Sequence, residues 1–172
     1  AVTLADGRDV IGVVKADAYG HGAEVVAHTM LASGVKRLAV VSIGEGATLR
    51  NAGMTAPILL LGGIQSRVAA IHSSQHNLTP VIHDEQGLLL ASGSRDSEAK
   101  RAVEVEIEVD TGMRRMGVLE DEAAGLIEKV MAAPGVRLSG VYTHLARADE
   151  ADPEPSRAQY LALAKAIRGL PE

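Results

Sequence analysis

The chain has 172 residues, 47% apolar and 23% charged, enough for one sizeable core and ordinary for a globular domain. A net charge of −5 and an aromatic content of 2% argue against the basic, base-stacking surface of a nucleic-acid binder, and no apolar run approaches a membrane span. The absence of cysteine excludes disulfides and thiolate metal sites and fits a reducing compartment; with no basic-then-apolar leader, the expectation is a cytoplasmic protein.

In chain order, residues 10–16 form an apolar run rich in β-branched side chains that reads as a buried strand. Lys15 is the one charged side chain at its end. An amine emerging from a buried strand is partly desolvated, which disfavours the ammonium form and leaves a nucleophile able to attack an aldehyde. A lysine that merely snorkels out of a strand end has the same local sequence. Tyr19 follows four residues later in a chain with three tyrosines, and Gly20 and Gly22 allow close approach of backbone to a ligand.

A helix is expected over 23–33, ended by Ser33-Gly34, then a strand over 38–42 and a short helix over 45–51 ended by Gly53. Residues 57–62 read as a third strand with a helix over 65–73. Residues 78–83 read as a fourth, with a helix over 84–91. Residues 102–109 are a fifth. An amphipathic helix over 120–132 stops near Pro134-Gly135, a sixth strand covers 136–144, and a last helix covers 155–168. Strand and helix alternating in this way mean βαβ units and a parallel sheet. The pattern leaves open a doubly wound sheet or a (β/α)8 barrel. Gly20-His21-Gly22-Ala23 lacks the third glycine of a dinucleotide fingerprint.

Three stretches carry chemistry. The first is VVKADAYGHGA (13–23). The second is EIEVDTGMRRMG (106–117), where a strand runs into Asp110-Thr111-Gly112 with Arg114 and Arg115 beyond. Its Asp-Thr-Gly occurs once, whereas an aspartic protease needs two such carboxylates. The third is VYTHLARADE (141–150), with His144 at the end of the sixth strand. The remaining histidines (His21, His28, His72, His76, His83) show no ligand spacing with carboxylates, and no metal is assigned.

Together these stretches resemble the alanine racemase family of fold-type-III enzymes that use pyridoxal 5'-phosphate. The resemblance implies a (β/α)8 TIM-type barrel with the site at the C-terminal strand ends. Six βα units in 172 residues match an incomplete barrel, a single partial domain over 1–172, without the family's C-terminal β-domain. In the family the counterpart of Lys15 carries the cofactor covalently and that of Tyr19 contacts its phosphate. Arg115 falls on the arginine of Lys-x-Asp-Thr-Gly-Met-x-Arg-x-Gly, near the cofactor's phenolic oxygen and the substrate carboxylate, which a guanidinium fork suits. The lysine of that pattern, often carbamylated, is replaced by Glu108, whose carboxylate supplies an anion directly. His144 falls on a histidine near the pyridine ring. Leu61, before Gly62-Gly63, either lines the ring pocket or is an ordinary core leucine.

The function so implied is racemisation of a small amino acid, L-alanine to D-alanine for cell-wall precursors, with Lys15 catalytic. A broad-spectrum or serine racemase, and a pyridoxal phosphate carrier or regulatory protein without turnover, are the alternatives. The family is a homodimer.

Overall fold

The computed structural model describes residues 2–94 and 102–169. The chain divides into two compact units, residues 1–81 and 82–172. After a 3-10 turn at Val2–Ala5, the first unit holds β1 (Ile11–Val13), β2 (Arg37–Val40), β3 (Ile58–Leu60) and β4 (Leu78–Ile82), which ends at the boundary between the units. The strands pair in chain order and all run parallel, with Gly12 opposite Leu38, Ala39 opposite Leu59 and Leu59 opposite Thr79. The return segments are α1 (Ala23–Ala32), α2 (Ile43–Asn51) and α3 (Arg67–Gln75).

The apolar runs become strands because both faces of a parallel sheet are covered. Leu38, Val40 and Ile58 are fully buried, and Leu60 and Val81 nearly so. The helices begin where side chains can satisfy their free N–H groups. Ser42 accepts from the Glu45 N–H, and the Glu45 carboxylate reaches back to the Ser42 N–H, a complete capping box. Ser66 caps α3 by accepting from the Ala69 N–H.

In the second unit, α4 (Glu85–Gly93) starts at Asp84, whose carboxylate accepts the Gly87 N–H. β5 (Val103–Asp110) lies between β6 (Val118–Leu119) and β7 (Val136–Tyr142), parallel to both. α5 (Ala123–Ala132) and α6 (Glu154–Ala166) complete the unit. α5 buries Leu126, Ile127 and Val130 on one face, the pattern of an amphipathic helix.

The parallel α/β class is as the sequence predicts, with two corrections. Seven strands are present among the described residues, not six, because β6 is a two-residue pairing too short to show a period. The first strand ends at Val13 rather than at residue 16, so Lys15 stands beyond it in a separate backbone feature.

Candidate active site

Past β1, Val14 still pairs with the sheet, its N–H donating to the Ala39 carbonyl at 2.9 Å. Lys15 is half-buried. The next four residues then take left-handed helical dihedrals: Ala16 (φ 50°), Asp17 (54°), Ala18 (53°) and Tyr19 (57°). For L-residues this conformation costs about 1–2 kcal/mol each, so the turn asks for roughly 4–8 kcal/mol from its surroundings. Hydrogen bonds hold it. The Ala18 N–H donates to the Val14 carbonyl (3.0 Å) and the Gly22 N–H to the Asp17 carbonyl (2.9 Å). The Ala23 N–H donates to Asp17 Oδ1 (2.7 Å), and the Ala16 N–H to Glu45 Oε1 (2.8 Å). Gly20 (φ 85°) and Gly22 (φ 88°) extend the positive-φ path, and a side chain at either would meet nothing within 4 Å. Conformation rather than space therefore favours glycine there.

The turn packs Ala18 inward and leaves Tyr19 60% exposed. Leu61, one residue past β3, is half-buried, and its N–H donates to the Val40 carbonyl at 2.8 Å. Because β1, β2 and β3 are parallel, Lys15, Tyr19 and Leu61 all lie beyond the same C-terminal strand edge. Glu45 joins them there. Burial pushes its carboxyl up, but the N–H groups of Ser42, Ala16 and Val41 and the Ser42 hydroxyl more than offset this, holding it below the usual range.

The second unit brings together a different set. Along β5, Val105, Ile107 and Val109 point to one face, and Glu106, Glu108 and Asp110 to the other. Such alternation suggests one wet face, yet all three carboxylate residues are buried. Gly140 on β7 leaves room for Glu106, since a Cβ there would sit 3.2 Å from the Glu106 carboxyl carbon. Tyr142 donates its hydroxyl to Glu108 Oε2 at 3.1 Å. His83 Nε2 stands 3.3 Å from the same oxygen, a charge-range approach without hydrogen-bond alignment.

Burial pushes the Glu108 carboxyl up. The nearness of His83, the Tyr142 hydroxyl and the charges of His83 and His144 outweigh that and hold it low. Burial, together with the Glu108 charge, pushes the Tyr142 phenol well above the tyrosine range, and Arg115 acts in the opposite sense. Glu108, Tyr142, His83, His144 and Arg115 thus share one electrostatic neighbourhood.

Arg115 and His144 are exposed, five residues past β5 and two past β7, so both lie beyond the C-terminal ends of parallel strands. Asp110 organises the first loop. Burial raises its carboxyl, but the N–H groups of Arg114 (3.0 Å) and Gly112 (2.9 Å) bring it below the usual range. Thr111 and Thr143 share a 2.6 Å hydroxyl contact. Gln159 on α6 ties both loops, donating to the Thr111 hydroxyl and the His144 carbonyl and accepting the Ala146 N–H.

Sequence reasoning singled out Lys15, Tyr19, Leu61, Arg115 and His144 but missed Glu45, His83, Tyr142 and Gln159 as their supports. One signal was available: Gln159 is a lone amide at a helix position that turns out buried.

The donor set fits pyridoxal phosphate by its chemistry: a primary amine for the aldehyde, a phenol hydroxyl for the phosphate and an apolar side chain for the ring, on one strand edge. The family model described as "Alanine racemase, N-terminal domain" matches residues 1–172. The alanine racemase of Synechocystis sp. is 40% identical over 162 residues, covering 94% of this chain and 43% of the relative. That of Carboxydothermus hydrogenoformans is 40% identical over 156 residues, covering 91% and 42%. Among solved structures, the alanine racemase of Clostridium difficile 630 superposes with a TM-score of 0.83 at 31% identity, covering 92% of this chain and 44% of that one. The chain therefore spans less than half the length of these relatives.

Proposed function

Because the chain belongs to the alanine racemase family through its N-terminal domain, we propose that the protein containing it racemises a small amino acid, L-alanine to D-alanine, with pyridoxal 5'-phosphate. The observation that carries the reading is the left-handed turn that sets Lys15 and Tyr19 beyond the C-terminal strand edge, within a sequence run matching the family's lysine motif.

In this reading residues 1–172 form one partial (β/α)8 barrel domain. Lys15 holds the cofactor covalently. Tyr19 donates its hydroxyl to the phosphate, Leu61 contacts the ring, His144 lies near the pyridine, and Arg115 binds the cofactor's phenolic oxygen and the substrate carboxylate. When bound, the cofactor supplies an electron sink for the charge left as the α-proton departs.

The chain's own residues do the rest. The Lys15 amine would remove or return the α-proton on the face of D-alanine. A second base must serve the opposite face. Tyr19 is committed to the phosphate, and Tyr142 is engaged with Glu108. Neither Tyr142 nor Tyr160 sits in a family motif for this role, and the resemblance to the family implies a tyrosine of the opposite subunit as the second base. Arg115 holds the carboxylate so that the α-carbon keeps its position between the two bases. Glu108 places a buried negative charge on Tyr142, a phenol that also feels Arg115, without requiring a carbamylated lysine.

As the family resemblance implies, this reading makes the protein a cytoplasmic supplier of D-alanine for peptidoglycan. Among the described residues no helix is long and apolar enough to cross a membrane. The test is racemase assay of the full-length protein with alanine and serine. Cofactor-dependent interconversion fastest with alanine is expected. Cofactor binding without turnover would leave a carrier, and preference for serine would move the substrate assignment.

A further inference from the structure

We infer that Glu45 is a positioning residue for Lys15, fixing the peptide after the lysine so that its amine is presented at the strand edge; this rests on the reading of Lys15 given above. The Glu45 carboxylate acts in two directions. Oε2 accepts the N–H groups of Val41 (2.8 Å) and Ser42 (2.9 Å), closing the capping box of α2. Oε1 accepts the Ala16 N–H at 2.8 Å, across 29 residues of sequence.

The cap needs only one of these oxygens. The other reaches the Lys15–Ala16 peptide, where the chain passes into the left-handed turn. Because a peptide is a rigid plane, pinning its N–H fixes the rotation on the carboxyl side of Lys15 and the amino side of Ala16. The first of these sets the direction in which the Lys15 side chain leaves that plane, and the second sets the entry into the turn. The turn's other side-chain ties among the described residues are local, between Asp17 and Ala23 and between His21 and Ala18. Glu45 is the one that connects the lysine peptide to the neighbouring β2–α2 loop. As a carboxylate it makes charge-assisted bonds, stronger than an amide oxygen would make. Ser42 supplies the contrast: its hydroxyl engages Glu45, accepting its N–H at 3.2 Å and helping to hold its carboxylate, but makes no bond to the Lys15–Ala16 peptide among the described residues.

The test uses full-length apoprotein mixed with pyridoxal phosphate, following the visible band as the Lys15 amine condenses with the aldehyde. That step forms one C=N bond and releases the aldehyde oxygen as water. Wild type, Glu45→Gln and Ser42→Ala are compared at a temperature below all three melting points. Glutamine keeps one acceptor and turns a donor toward N–H groups, so one arm of the bridge is lost. Glu45→Gln should form the band about ten- to a hundredfold more slowly, the scale on which groups that orient a site residue act. Ser42→Ala should form it at the wild-type rate, although both variants weaken the start of α2.

Equal slowing in both variants, or none in Glu45→Gln, would overturn the inference. If Glu45→Gln does not fold, Glu45→Asp keeps the charge but is one methylene short: slowing in the folded variant supports the inference, and a wild-type rate overturns it. Wild type that forms no band through Lys15 would overturn the reading of Lys15 itself, and the inference with it.

Discussion

Tyr142 and Glu108 face each other across adjacent parallel strands as a register pair, and the phenol donates to the carboxylate at 3.1 Å. A buried carboxylate is tolerable only where donors surround it. Tyr142→Phe removes one donor and leaves the charge in place. Local stability of β5 and β7 should fall by about 1–3 kcal/mol, the cost of a buried group left short of a partner. Amide hydrogen exchange of these strands should accelerate accordingly, while β2 and β3 exchange as in wild type.

The same pair sets a pH dependence with opposite signs at its two ends. The Glu108 carboxyl is held below the ordinary value of 4.5, so its contribution is present above 4.5 and lost as pH falls through the lower folded value. The Tyr142 phenol is raised above the ordinary 10.0, so its contribution is complete below 10 and lost as pH rises through the higher folded value. Melting temperature against pH, wild type beside Tyr142→Phe, should give a difference that is constant between these limits. Above pH 10 the difference should shrink, since only wild type has a phenol to ionise. A difference that grows with alkaline pH would contradict the assignment.

Gln159 holds the two loops that carry Arg115 and His144. Gln159→Leu keeps the approximate size but strands the Ala146 N–H and the His144 carbonyl. Exchange at the Ala146 amide should rise about tenfold or more, the equivalent of roughly 1.4 kcal/mol. In the full-length protein KM for alanine should rise more than kcat falls if Arg115 binds the substrate carboxylate as proposed, because its loop is what loosens. An unchanged Ala146 amide would show that Gln159 is only a packing residue.

Much of this was legible in the sequence because it is periodic or local. The alternation of apolar runs with helical patterns gave the parallel α/β class, while the helix starts read at residues 45 and 65 lie two residues from the observed Ile43 and Arg67, which Ser42 and Ser66 cap. The left-handed turn was not legible. Ala16-Asp17-Ala18-Tyr19 has no intrinsic preference for positive φ; distant ties, such as Glu45 to Ala16, impose it. The burial of Glu106, Glu108 and Asp110 was hidden for a related reason. Alternation along β5 tells which residues share a face, but not what covers that face.

If Lys15 moves the α-proton on one face only, its loss and rescue should be directional. Full-length Lys15→Ala should lose solvent exchange of the D-alanine α-proton more than that of L-alanine, and methylamine should restore the D-alanine exchange preferentially. Net conversion should fall and recover equally in both directions, because racemisation either way needs both proton transfers. Equal loss and rescue of exchange from both isomers would argue for one base serving both faces.

The most direct test of the central claim is to trap the cofactor where it is held. Full-length protein loaded with pyridoxal phosphate is reduced with borohydride and digested, and the modified lysine is located by peptide mass. The pyridoxyl mass is expected on the peptide containing Lys15, with loss of reducible visible absorbance in Lys15→Ala. A label on any other lysine with Lys15 unmodified would contradict this.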